Sequence, residues 1–158
     1  MLRISKLSDY GTVIMTQMAG EPSRLYSATD LAESLGLGLP TVSKVLKALA
    51  RHALVTSLRG ARGGYTLARP AHAITVADII DALEDQPFGL TECSATSGSC
   101  ELEAGCRIRA NWVNISTVVR RALEDVSLAD MVEPVPLNTL VGAHPIHGPD
   151  RRNKHTTV

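Results

Sequence analysis

Cys93, Cys100 and Cys106 fall within 14 positions of a 158-residue chain and are its only cysteines. An odd number in one tight cluster, with no secretion signal, reads as metal or redox chemistry rather than a disulfide framework. Three thiolates in one loop can hold a soft metal or an iron–sulfur cluster. The gaps of six and then five residues are not the paired C-x2-C of common zinc sites, which favours iron–sulfur. The alternatives are a three-cysteine zinc site completed by a distant histidine, and bare redox-sensing thiols. A fourth ligand is needed. Glu92, Glu101 and Glu103 lie nearby, and Asp9 is a further candidate, although an acid in a helix's first turn also complements the dipole. His144, His147 and His155 sit in a proline-containing stretch and read as solvated.

The second chemistry-bearing feature is a run of cations. Sixteen Lys and Arg balance sixteen Asp and Glu, for a formal charge of zero, but the charges are not spread evenly. Residues 1–70 carry nine cations against four acids, +5; residues 71–133 carry four against eleven, −7; residues 134–158 carry three against one, +2. Six of the nine N-terminal cations lie between Lys44 and Arg69 with no acid among them. Local field rather than net charge sets phosphate affinity, so a DNA duplex can bind here. Five aromatic residues are too few for the stacking platforms of single-strand binders.

These groups need elements to place them. A helix over the first 20 residues, with Ser8 able to cap it, ends at Glu21-Pro22-Ser23. A short strand or turn around Leu25-Tyr26 follows. Ser27 to Asp30 fits a capping box that opens a helix over Ala28 to Leu35. Gly36-Leu37-Gly38 turns the chain, and Pro40 suits the first turn of a helix running to His52. That second helix has Val42, Val45, Leu46 and Leu49 on one face and polar or basic residues elsewhere. Helix, tight turn, helix is the helix-turn-helix pattern. Leu54 to Leu58 and Tyr65 to Leu67 read as strands joined by the glycine-rich basic turn Arg59 to Gly64, which makes a wing.

Thr41, Ser43, Lys44 and Lys47 are the candidates for base edges in the major groove. Arg51 reads as a phosphate contact, Arg59 as a minor-groove contact at the wing tip, and Arg62 as a further wing cation. The alternative use of such a basic winged helix is protein contact.

Beyond residue 70, Thr75 to Asp78 caps a helix to about Asp85. Residues 87–105 are irregular, and the chain is helical again from Cys106 to about Asp125. Ile108, Trp112, Ile115, Val119 and Leu123 form an apolar stripe at three- and four-residue spacing, read as a face for a second copy of the chain. Ser127 caps a last short turn. The expected fold class is mainly α: a winged helix-turn-helix over 1–70, a cysteine loop and long dimerisation helix over 71–133, and a disordered tail over 134–158. No apolar run reaches the length of a membrane span, and the chain is expected to be cytoplasmic. No Ser/His/acid triad, phosphate loop or paired catalytic carboxylate stands out, so an enzyme is not expected.

The combination resembles the iron–sulfur-sensing winged-helix regulators of the IscR and NsrR type, nearest to regulators of SUF-system cluster assembly. The matching segments are Met1-Leu2-Arg3-Ile4 through Tyr10, the helix-turn-helix, Leu54 to Gly60 with Gly63-Gly64-Tyr65, and the three cysteines. The resemblance spans residues 1–133. It implies a homodimer with the long helix crossing to the partner, cluster ligation by Cys93, Cys100 and Cys106, and Arg59 at the minor groove. Members of the IscR type place a histidine three residues after the last cysteine, where this chain has Arg109. Members of the NsrR type use an aspartate of the first helix, given by the partner subunit, and Asp9 stands at that position. The resemblance therefore implies Asp9 as fourth ligand and leaves open a [2Fe–2S] or a [4Fe–4S] cluster. Ser43-Lys44 stand where IscR has acid and amide residues, so its operator does not carry over. The implied role is a repressor of cluster-assembly genes; the alternative is an iron–sulfur carrier or electron-transfer protein that ignores operators.

Overall fold

The computed structural model describes residues 3–60, 63–84 and 86–133. Helix α1 spans Lys6–Gly20, α2 Ala28–Leu35 and α3 Leu39–Arg51. Strands β1 (Val55–Leu58) and β2 (Gly64–Leu67) pair antiparallel, with Val55 opposite Leu67 and Ser57 opposite Tyr65. Then come α4 (Val76–Leu83), the short α5 (Glu92–Ala95), α6 (Arg109–Glu124) and α7 (Leu128–Val132). The fold is mainly helical with a two-stranded wing, as the sequence predicts.

Local chemistry sets most boundaries. Ser27, Thr75 and Ser127 each accept a bond from the N3 backbone N–H, while Asp30, Asp78 and Asp130 accept one from the cap's own N–H. Those reciprocal bonds satisfy donors that a helix start leaves orphaned. Gly36 ends α2 in the left-handed region at φ +64, the conformation that lets α3 start three residues later at Leu39. Gly64 is required by close approach, since a Cβ there would lie 2.7 Å from the Tyr26 carbonyl oxygen. That closeness lets Tyr26 and Tyr65 bond backbone to backbone, at 3.0 and 2.7 Å.

Three boundaries differ from the sequence reading. The cap of α1 is Ser5, not Ser8. Ser8 is fully buried and its hydroxyl donates to Glu84 Oε1 at 2.5 Å, a partner 76 residues away that no local pattern reveals. Helix α4 stops at Leu83 because Glu84 takes an extended conformation. Helix α6 starts at Arg109, with Ile108 as its cap; Cys106 is extended and ends a 3-10 turn over Glu103–Gly105.

One core runs through both sides of residue 70. Ile14, Met15 and Met18 of α1 and Val42, Val45, Leu46 and Leu49 of α3 share it with Ile74, Ile79, Leu83 and Leu128. Helix α1 packs on α3, α4 and α7. The 74–76 segment pairs with 126–128, through Val76 N–H to Val126 O and Leu128 N–H to Ile74 O. The winged-helix unit is thus completed by residues from the second half of the chain. Arg62 and residues 134–158 lie outside the described residues.

Gly11 of α1 faces Leu83 of α4 with no room for a side chain. Gly11→Val should cost about 1–3 kcal/mol of stability through overpacking. Urea unfolding should show the Gly11→Val, Leu83→Ala double variant less destabilised than the sum of the single changes.

Candidate nucleic-acid interface and cysteine loop

The exposed side of α3 is built by subtraction. Its apolar residues are fully buried at Val42, Val45, Leu46 and Leu49, leaving Lys44, Lys47 and Arg51 exposed and Thr41 and Ser43 half-buried. Lys44, Lys47, Ala50 and Arg51 form one wall of a groove whose other wall is Ser57 and Tyr65 on the wing. Among the described residues no acid pairs with these cations. Arg59 is exposed just beyond β1. A cationic helix beside a two-stranded wing presents phosphate-binding charge and short polar side chains on one surface. Ser57 and Tyr65 escaped the sequence reading. Their signal is the strand register, which places them opposite each other.

The cysteines are held differently. All three are free; Cys93 is buried in α5, and Cys100 and Cys106 are half-buried. Among the described residues, no three of His, Cys, Asp and Glu gather into a metal-binding group. Asp9 lies exposed on α1 and lines a shallow hollow with Thr12, Val13, Met131 and Val132, where no cysteine takes part. The chain by itself does not bring its proposed ligands together.

What organises the loop is hydrogen bonding. Ser116, the buried residue of α6, donates to Ser94 Oγ at 3.0 Å and accepts from Leu90 N–H at 3.2 Å. This ties α5 and its Cys93 to α6. Between Cys100 and Cys106, Glu103 accepts from Gly98 N–H at 2.6 Å and Ser97 Oγ at 3.1 Å, and pairs with Arg109 Nη2 at 2.8 Å. The Gly98 amide, then Ser97 and Arg109, hold the Glu103 carboxyl below the usual carboxylate range against an opposing effect of desolvation. Arg109 also carries an oddity: its Nε is buried with no hydrogen-bond partner among the described residues.

The helix stripe divides. Trp112, Val119 and Leu123 are half-buried, whereas Ile108 and Ile115 are exposed, as is the neighbouring Val118. Val119 and Leu123 help line an apolar hollow of about 500 Å³ with Ile80, Phe88 and Leu90. Across it, Arg120 grips Asp81 of α4 with two bonds of 2.5 and 2.6 Å and Glu124 with one of 2.8 Å. Sequence reading assigned these charges no partners, because Asp81 and Arg120 are 39 positions apart.

Helix-turn-helix, wing and cationic groove define a winged-helix DNA-binding regulator. Residues 4–134 match the family model Rrf2, described as an iron-dependent transcriptional regulator. The chain belongs to the Rrf2 family, whose members are transcriptional regulators rather than enzymes. Among solved structures it is similar to CymR of B. subtilis, described as the global cysteine regulator of that organism. They share 31% identity over 84% of this chain and 97% of that one, with a TM-score of 0.66. It is also similar to IscR of T. potens, at 30% identity over 83% and 86% with a TM-score of 0.65. A third similarity is to the oxidized form of Staphylococcus aureus CymR, at 26% identity over 85% and 99%, TM-score 0.65. Among the described residues no helix is long and apolar enough to cross a membrane.

A depressed Glu103 stabilises the loop above the ordinary glutamate pKa of about 4.3, and that contribution is lost as pH falls through the lower folded value. The Gly98 amide resonance should therefore titrate with a midpoint below the ordinary glutamate range. In Glu103→Gln that titration should disappear from the NMR spectrum.

Proposed function

We propose that this chain is a homodimeric, cytoplasmic regulator that binds a double-stranded DNA operator and senses iron–sulfur status, repressing cluster-assembly genes. The observation that carries the sensing half is the cysteine segment: three free thiols, Cys93 in α5 and Cys100 and Cys106 between α5 and α6, with α5 bonded through Ser94 and Ser116 to α6, whose Ile115 and Val118 are exposed. Cys93, Cys100 and Cys106 would hold the cluster, [2Fe–2S] or [4Fe–4S]. Asp9, exposed on α1, is free to reach a partner subunit as fourth ligand. When bound, the cluster supplies reversible redox chemistry and a lability that reports iron and oxidant supply.

The chain's own residues carry the response. Ser116 links the loop to α6, and Arg120 links α6 to Asp81 of α4. Helix α4 packs on both α1 and α3. A change in the order of residues 87–106 thereby bears on how α3 is held and how two recognition helices are spaced. Ile108, Trp112, Ile115, Val119 and Leu123 are the proposed dimer contacts, and the exposure of Ile108 and Ile115 supports that use. Thr41, Ser43, Lys44 and Lys47 would read the major groove, Arg51 would meet a phosphate and Arg59 would enter the minor groove, with Arg62 a further DNA-binding cation.

A second reading is favoured by the thiols' separation: free cysteines that respond by oxidation, with no cluster. The two are separated by anaerobic purification. The first reading expects visible absorbance with matched iron and sulfide, abolished by Cys93→Ala, Cys100→Ala or Cys106→Ala; a colourless wild type leaves the thiol reading. A carrier or electron-transfer protein would ignore duplex DNA. The proposed regulator should instead lose affinity steeply with salt, and Arg59→Ala should weaken operator binding by about 1–3 kcal/mol. A salt slope near zero would count against the interface.

A further inference from the structure

Ser57 and Tyr65 line the wing side of the groove that faces Lys44, Lys47 and Arg51 of α3. The hydrogen bonding of β2 sets where their hydroxyls stand. The Tyr65 N–H donates to the Tyr26 carbonyl at 2.7 Å, and the Tyr26 N–H to the Tyr65 carbonyl at 3.0 Å. Both backbone groups of Tyr65 therefore point away from β1. Ser57 and Tyr65, opposite each other in the register, are a non-hydrogen-bonded pair, the kind whose side chains stand closest on one face. That face looks toward α3: Val55, two positions before Ser57, is buried, and β1 packs on α3. Ser57 is exposed and Tyr65 half-buried. The neighbouring Tyr26 spends its hydroxyl on the Gln17 carbonyl at 3.2 Å. Among the described residues the Tyr65 hydroxyl has no such partner and is not one of the buried polar atoms, so it is left open to solvent.

Lys44, Lys47 and Arg51 follow one another at spacings of three and four and share one face of α3. With α3 in the major groove and Arg59 in the adjacent minor groove, the sugar-phosphate strand that divides the two grooves must cross the gap between helix and wing. The gap is an open groove of about 500 Å³, room for a phosphodiester where one water takes only about 30 Å³ of the liquid. We infer that Tyr65 and Ser57 seat one phosphate of that strand, their hydroxyls donating to its oxygens from the wing while the α3 cations face it from the other side. The inference rests on the DNA-binding reading proposed above and adds two neutral donors to it. A cation attracts any phosphate nearby, whereas two hydroxyls on a fixed strand accept one at a set distance from α3. Tyr65 is held along both edges of β2, by β1 and by Tyr26, so little ordering remains to be done on binding. Both are positioning residues: they set the register of α3 on the duplex and read no base.

The test uses the full chain and the duplex that the wild type selects from a random-sequence pool, with single phosphates replaced in turn by neutral methylphosphonates. Tyr65→Phe keeps the ring and should weaken binding about ten- to a hundredfold, the loss of one hydrogen bond to a charged group. Ser57→Ala should weaken it by a smaller factor. Neither should alter the slope of log K against log salt, since neither removes a charge, whereas Arg51→Gln should flatten it by about 0.9. On the wild type, methylphosphonate at one position in each half-site should cost affinity, and at that position Tyr65→Phe should cost little more. A change that merely loosened the wing would lose affinity equally at every substituted phosphate. Wild-type affinity in Tyr65→Phe, or losses that add in full at every phosphate, overturn the inference. If Tyr65→Phe fails to fold, Ser57→Ala decides by the same measurement. A wild type that selects no duplex removes the DNA-binding reading and this inference with it, whereas a wild type that binds, with both variants unaffected, sinks this inference alone.

Discussion

Helix α1 is packed on three sides, and the rest of the structure depends on it. Ile14, Met15 and Met18 are essentially without solvent exposure and meet α3, α4 and α7. Gly11 lets Leu83 come closer than any side chain would permit, and Ser8 answers Glu84 at the end of the same helix. Close-packed interiors transmit displacement instead of absorbing it. Helices α3 and α4 are therefore parts of one body, and a pull on α4 reaches the cationic side of α3.

Electrostatics divide the molecule in two. In the helix-turn-helix and wing, Lys44, Lys47, Arg51 and Arg59 are exposed, and among the described residues no acid is paired to them. In the acidic half, Arg109 and Arg120 are spent on Glu103, Asp81 and Glu124. The excess of acids there finds its structural role at helix caps, as with Asp78 and Asp130, and in holding the two arginines that brace the loop. A total charge of zero thus coexists with a surface able to attract a polyanion, because screening limits each field to about a Debye length of 8–10 Å.

The cysteine loop joins these halves without a core of its own. Its order comes from polar contacts among Ser94, Ser97, Gly98, Glu103, Arg109 and Ser116. Such contacts exchange readily with water and are individually weak. A loop held this way can change its state at small cost, which suits a sensor, whereas the apolar packing around α1 suits a platform that must keep its shape.

Much was legible locally. Capping boxes at Ser27, Thr75 and Ser127, the turn at Gly36, the apolar face of α3 and the Gly63-Gly64 wing are short-range patterns, since caps, periodicity and turn residues act within one or two helical turns. From these, the amino-acid order alone determined the winged helix-turn-helix, its cationic side, and the presence of three free thiols in one segment. Tertiary structure alone decided that Ser8 is buried against Glu84, that Arg120 reaches Asp81, that Ile74 and Leu128 complete the core, and that Arg109 pairs with Glu103. Those contacts join residues far apart in the chain or depend on loop conformation, and no periodicity encodes them. The separation of the thiols from Asp9 is decided at the same level, because one protomer's packing sets how far α1 stands from the loop.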